Sequence, residues 1–258
     1  MWDKVIKKSI NILIMLKFLL MLPVLKRLVP SILKKLSFKE INYKYDGIHY
    51  TLDLRYLVDR RFFLYGYDAK NIEILNKYIQ NYETGYFLDI GSCWGLYSLQ
   101  IAKKNPRIKV LSFDVFEQNI NRIKKMSLKN NVQNIETYNI AVGSEESEVE
   151  FSVDEKFSPN YSKDLNGKFK IKVEQKKIDT ILVIRNQKIA IKIDVERSEM
   201  DVLWGSKELL KGNDCLIQLE CENENQKEVL EFLSKIGYAK LDLKGDNDDL
   251  YFANFKIE

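Results

Sequence analysis

YFLDIGSCWGLYSLQIAKK, residues 86–104, places an apolar strand, a glycine-bearing turn and a helix start in immediate succession. Phe87, Leu88 and Ile90 make a short run that is apolar toward both sides, as in a parallel strand covered on both faces. Gly91 lets the chain turn sharply and lets the backbone approach a ligand, and Gly95 lets the new helix pack closely. In a doubly wound α/β sheet such a turn lies where ligands gather, beyond the carboxyl ends of the strands.

The pattern repeats outward from this stretch. RIKVLSFD (107–114) reads as a strand, NINRIKKMSLKNN (119–131) as a helix and NIETYNIAVG (134–143) as a third strand. KIAIKIDVE (188–196), the helix SEMDVLWGSKELL (198–210), CLIQLECE (215–222) and the helix NQKEVLEFLSKIG (225–237) continue it. YAKLDL and DLYFANF, joined by the acidic loop GDNDD, predict a closing hairpin with one antiparallel strand near the sheet edge. The expected fold is therefore α/β, with a doubly wound, mostly parallel seven-stranded sheet. EVEFSV and KFKIKVEQ alternate polar and apolar residues, which predicts a β-hairpin inserted near 145–178 and capping a substrate over the carboxyl edge. Residues 39–84 read as a β-rich lead-in followed by the helix AKNIEILNKYIQN, and residues 85–258 as the main domain.

Residues 1–38 form a separate basic, apolar segment. INILIMLKFLLMLPVL (10–25) is shorter than the roughly 20 apolar residues of a span, contains Lys17 and is broken by Pro23. The first 35 residues hold eight Lys or Arg against one acid, about +7, while the whole chain carries +4. A helix at an anionic membrane surface and a helix docked on protein both suit this run. The remainder is near −3, which argues against a nucleic-acid-binding surface. Cys93, Cys215 and Cys221 have no metal-ligand spacing and read as free thiols of a reducing compartment; His49, alone of its kind, excludes any site needing two imidazoles.

Strand two ends in Asp114, about 20 residues past the glycine loop, where an acid accepts hydrogen bonds from a ribose diol. A nicotinamide dinucleotide suits this spacing too, but Gly91-x-x-x-Gly95 lacks the third glycine of G-x-G-x-x-G, and no Tyr-x-x-x-Lys site is present. That leaves an oxidoreductase, or a membrane-associated scaffold retaining only the fold, as alternative readings.

DIGSCWG followed by LYSL, FDVFEQN (113–119), NIAVG (139–143), KIDVERSEMDVLWGSKELL (192–210) and the terminal DDLYFANF occur in the order and form of the FkbM family. The chain resembles that family of S-adenosylmethionine-dependent methyltransferases from near Tyr65 to Phe255. It departs at Cys93, where Asn is usual, at Arg197, where Gly is usual, and at Asp114-Val115, where Glu-Pro is usual. The resemblance implies a Rossmann-like domain using S-adenosyl-L-methionine, with the methionine part held by Asp89 and the loop Gly91, Ser92, Cys93, Trp94 and Gly95. It implies ribose contact at Asp114 and adenine contact around Asn139 and Ala141. It further implies O-methylation of a sugar hydroxyl in a surface glycan, glycan precursor or other sugar-containing small molecule. The free thiols and the basic amino-terminal segment place the protein in the cytoplasm, or at the inner face of the cell membrane, as an expectation. An attacking hydroxyl needs a base, and with no histidine in this region the carboxylates at the end of the fourth core strand are the candidates. Asp194 or Glu196 is expected as base, with Glu199 and Glu220 lining the site and no metal.

Overall fold

The computed structural model describes residues 39–80, 82–153, 161–162 and 169–256, together with Ile32 and Lys35. Almost all of the basic amino-terminal segment lies outside these residues. Two compact units divide between Tyr67 and Asp68. In the first, β1 (Ile41–Tyr45) and β2 (Ile48–Leu52) form a hairpin closed by Asp46-Gly47, both at positive φ, the type I′ geometry that matches strand twist. Its tyrosines pack on helix α1 (Leu57–Tyr65), where the rings of Tyr43, Tyr45 and Tyr50 lie 5.7, 5.2 and 4.9 Å from Phe62.

The second unit begins with α2 (Ala69–Ile79), so this helix belongs with the main domain rather than with the lead-in. It continues through β3 (Tyr86–Ile90), α3 (Leu96–Lys104), β4 (Lys109–Phe113), α4 (Glu117–Lys129) and β5 (Ile135–Tyr138). An accessory sheet follows, made from β6 (Ala141–Val142), β7 (Ser147–Val153), β8 (Tyr161–Ser162) and β9 (Phe169–Lys176). Then come α5 (Ile178–Ile181), β10 (Lys188–Ile193), α6 (Glu199–Gly205), α7 (Lys207–Lys211), β11 (Asp214–Leu219), α8 (Gln226–Lys235), β12 (Ala239–Leu241) and β13 (Leu250–Ala253).

The main sheet has seven strands in the order β12-β13-β11-β10-β3-β4-β5, and β13 alone runs antiparallel to its neighbours. This is the expected Rossmann-like architecture. Strand order reverses at β3, which is flanked by β4 and β10, so the ligand crevice opens beyond its end. Alternate residues explain both layers. Leu88, Ile90, Leu111, Phe113, Ile189, Ile191, Ile193, Ile217 and Leu219 face one core, shared with Val202, Leu203, Leu209, Leu210, Val229 and Leu233 of α6, α7 and α8. The intervening residues face α2 and α3.

Two elements differ from the sequence reading. NIETYNIAVG is two strands, because β5 pairs with β4 in the main sheet whereas Ala141 and Val142 pair with Gln175 and Lys176 of β9. SEMDVLWGSKELL is two helices, broken at Ser206 (φ −115°, ψ 8°), whose Oγ donates to the Val202 carbonyl at 2.8 Å. Gly205 ends the first of them against the Gly143 carbonyl, where a Cβ would overlap the oxygen.

Candidate active site

A row of polar side chains crosses the sheet one residue short of the strand ends. Asp89 of β3 stands in register with Ser112 of β4 and Lys192 of β10, and Lys192 with Gln218 of β11. Such residues are costly between two apolar layers unless they are paired, and α3 supplies much of the pairing. Ser98 donates to Asp89 Oδ2 from its backbone N (3.1 Å) and its Oγ (2.5 Å), and that Oγ lies 2.6 Å from Ser112 Oγ. The Tyr97 hydroxyl accepts from Gln218 Nε2 at 3.0 Å. Lys192 Nζ donates to the Gly91 carbonyl (2.9 Å) and to Asp194 Oδ2 (3.0 Å), and stands 4.0 Å from Asp89 Oδ1. Burial pushes the Asp89 carboxyl up, while the Lys192 charge and the Ser98 bonds oppose that rise. Sequence reasoning missed Lys192 and Gln218, although a polar residue inside IAIKI and CLIQL was the signal.

N–H groups of the glycine loop donate to acceptors of the protein itself. The Gly91 and Ser92 N–H groups donate to the Phe113 carbonyl (3.0 and 2.9 Å), Cys93 N–H to Asp114 Oδ2 (2.8 Å) and Gly95 N–H to the Ser92 carbonyl (2.8 Å). The loop is thus tied to the end of β4. Asp114, 2% exposed, also accepts from Phe116 N (2.8 Å) and Asn119 Nδ2 (3.1 Å). Burial pushes its carboxyl up to about 7 against these hydrogen bonds. Cys93 takes φ 49°, a left-handed conformation that asparagine adopts more readily.

Beside this loop lies a cavity lined by Gly91, Asp114, Val115, Ile140, Ala141 and Val142. Val195 and Ser198, and Phe151 and Gln175 of the accessory sheet, also line it. The structure therefore brings together Gly91, Asp114 and Ala141. Asn139 is exposed and holds the Asp114 carbonyl from outside at 2.9 Å, and the buried Trp94 packs under the Arg122 guanidinium, 5.6 Å away. Ser92 is buried, and its Oγ has no hydrogen-bond partner. The inserted strands pack Phe151 and Val173 on Val115, Phe116 and Ala141, and through Phe151 and Gln175 they also border this cavity.

Carboxylates gather at the neighbouring strand ends. Asp194 is held by Lys192, Glu199 Oε1 accepts from Arg197 N at 2.9 Å, and Arg197 Nε reaches Glu222 at 3.0 Å. Glu196 and Arg197 both have positive φ (50° and 71°), so Arg197 occupies a backbone conformation that suits glycine. Burial and then neighbouring acids push the Glu196 carboxyl upward. The same causes push Glu220 up to about 7. Asp249, which the sequence places in a solvated turn, accepts from Gln218 Nε2 (2.8 Å) and Asn71 Nδ2 (2.5 Å). Among the described residues no group of three or more His, Cys, Asp or Glu is arranged to hold a metal ion.

Residues 84–240, more than half of the chain, match the methyltransferase FkbM domain. The chain belongs to the FkbM methyltransferase family. None of the curated proteins compared with it matches. Among solved structures, the FkbM chain is similar to a SAM-dependent methyltransferase from Aquifex aeolicus (16% identity, 87% of this chain, 96% of that one, TM-score 0.45). It is also similar to a Streptococcus mutans protein described as a methyltransferase, in complex with SAH (12% identity, 70% and 95%, TM-score 0.46). A third is the precorrin-6y C5,15-methyltransferase of Geobacter metallireducens (12% identity, 70% and 85%, TM-score 0.42). The cofactor of the FkbM protein is S-adenosylmethionine. Its own residues fit that molecule. A Cβ at Gly91 would overlap the Asp194 carbonyl oxygen, so the crevice there stays open only to glycine. Buried Asp89 Oδ1, Ser92 Oγ and Ser198 Oγ lack hydrogen-bond partners, and Val115, Ile140 and Val142 offer an apolar surface.

Proposed function

We propose that this methyltransferase O-methylates a hydroxyl of a sugar, in a surface glycan or its precursor. The observation carrying the proposal is the carboxylate edge of Asp194, Glu196, Glu220 and Asp249 beside the cofactor crevice, rich in acceptors for sugar hydroxyls. The same edge repels phosphates, which disfavours an RNA acceptor. Mass spectrometry of host glycans with and without the protein tests the reading: loss of a 14 Da increment on a sugar supports it, and an unchanged glycan profile overturns it.

In this reading Asp89 and the Gly91–Gly95 loop take the methionine part of the cofactor, Asp114 the ribose, and Ile140 to Val142 with Val115 the adenine. The bound cofactor supplies an already reactive methyl group, so the chain's task is alignment, exclusion of water and removal of one proton. Of the two candidate bases, Asp194 is engaged by the Lys192 ammonium, whereas the Glu196 carboxyl is raised by partial burial and then by its acidic neighbours. Glu196→Gln should bind S-adenosylhomocysteine normally in calorimetry yet lose about 10²–10⁴-fold in turnover. Normal turnover in both Glu196→Gln and Asp194→Asn would place the base elsewhere.

Peripheral membrane contact through residues 1–35 is also proposed, on the charge of about +7 around their apolar run. Among the described residues no helix is long and apolar enough to cross a membrane. Each surface Lys or Arg adds about 1 kcal/mol of attraction to an anionic bilayer. The full-length protein should therefore sediment with phosphatidylserine vesicles, less so in high salt, and a chain starting at Lys39 should remain in the supernatant.

A further inference from the structure

We propose that Lys192 is a positioning residue for the cofactor: its ammonium clamps the Gly91 carbonyl to the Asp194 carboxylate and supplies the positive charge that faces Asp89. The proposal rests on the placing of the methionine part at Asp89 and the glycine loop. Three observations carry it. The ammonium is buried, 6% exposed, and its close oxygens among the described residues stand around the glycine turn: Gly91, which lines the cavity, at 2.9 Å, Asp194 at 3.0 Å and Asp89 at 4.0 Å. These oxygens come from two strands, β3 and β10, at the point where strand order reverses, and Lys192 is the side chain that spans them. Asp89 Oδ1, the carboxylate oxygen turned toward Lys192, is buried and has no hydrogen-bond partner, so it is oriented while its capacity to accept a hydrogen bond is unfilled.

Ionic pairing of Lys192 is therefore part of the site and not only of the core. Burial alone works against its charge, and Asp194 and Asp89 outweigh that, raising its ammonium above the ordinary lysine range. Without it, Asp89 keeps its buried position and its Ser98 bonds but loses the cation that faces it, and takes up a proton at higher pH. A neutral Asp89 is a poorer acceptor for a cationic ligand group, so cofactor affinity then falls as pH falls. The other charged or titratable groups facing the pair are Asp194, Asp68 before α2, Tyr97 on α3, Asp114 after β4, Glu220 after β11 and Asp249 before β13.

The test is titration calorimetry of S-adenosylhomocysteine against wild type, Lys192→Met, Lys192→Arg, Asp89→Asn and the double variant Asp89→Asn/Lys192→Met, each at pH 6 and pH 9. The wild type carries whatever dependence Asp114 imposes, so the readout is the ratio of variant to wild-type affinity. For Lys192→Met that ratio should be at least tenfold lower at pH 6 than at pH 9, and Lys192→Arg should restore most of it. In the Asp89→Asn background the same lysine change should leave the ratio flat, because no carboxyl remains to titrate. Should Lys192→Met fail to fold, the double variant, relieved of its unpaired acid, should fold and should bind more weakly than Asp89→Asn alone. A flat ratio in Lys192→Met, or a double variant equal to Asp89→Asn, overturns the proposal. No binding by wild type would instead defeat the cofactor placement on which it rests.

Discussion

Alanine in place of Gly91 should leave a protein that binds no measurable S-adenosylhomocysteine and is about 3–5 kcal/mol less stable. Two costs add. Gly91 has φ 77°, which an alanine adopts only with strain of roughly 1–2 kcal/mol. The new Cβ would also overlap the Asp194 carbonyl oxygen, forcing β3 and β10 apart at their ends. Gly47 separates the two costs. It has the same φ of 77° with nothing near its Cβ position, so Gly47→Ala should lose only about 1–2 kcal/mol. Urea denaturation of both variants measures the difference. Equal losses would mean that the strand ends yield freely, and that the crevice is not held as tightly as its geometry implies.

Asp114→Ala should weaken S-adenosylhomocysteine binding by about 1.5–3 kcal/mol, the range for hydrogen bonds to a charged group. It should also destabilise the free protein, because the N–H groups of Cys93 and Phe116 and the Asn119 amide lose a shared acceptor. The pH dependence has opposite signs for the two effects. The folded carboxyl titrates near 7 and the ordinary value is 3.8, so between those values the folded protein holds a proton that the unfolded chain has released. Asp114 thus favours folding more as pH is lowered through that window, and this contribution is lost as pH rises past 7. Cofactor binding through Asp114 should need the ionised acceptor and should therefore weaken below pH 7. Comparing wild type with Asp114→Asn at pH 5.5 and 8 isolates both trends. A binding difference between the two proteins that stays constant over this range would remove Asp114 from the ribose contact.

The fold was legible because the strands of the main sheet are short, apolar and separated by helical periods, and Asp89-Ile90-Gly91 marks where the first of them ends. What was not legible depends on pairing between distant segments. Nothing local in NIETYNIAVG says that Ala141 leaves β5's sheet, since its partner Gln175 lies on β9, the far strand of the insertion. The helix break at Ser206 depends on Gly205 meeting Gly143. The site was half legible. Asp114 and Gly91 sit where their spacing puts them, but the loop N–H groups are already taken by Phe113 and Asp114. Phe151 and Gln175 reach the cavity only because the accessory sheet folds toward it. The polar row through Lys192 and Gln218 is written in the sequence as a departure from apolar strands, and its meaning comes from the register that aligns four such departures.

Placing β10 between β3 and β11 has a consequence for how the protein is made. The ribosome delivers β10 roughly 100 residues after β3, an interval of about 5–20 s at ordinary elongation rates. Through that interval one edge of Tyr86–Ile90 carries unpaired backbone groups beside apolar side chains, a template for any neighbouring nascent chain. The strand that completes the candidate crevice is therefore also the one that covers this exposed edge of β3.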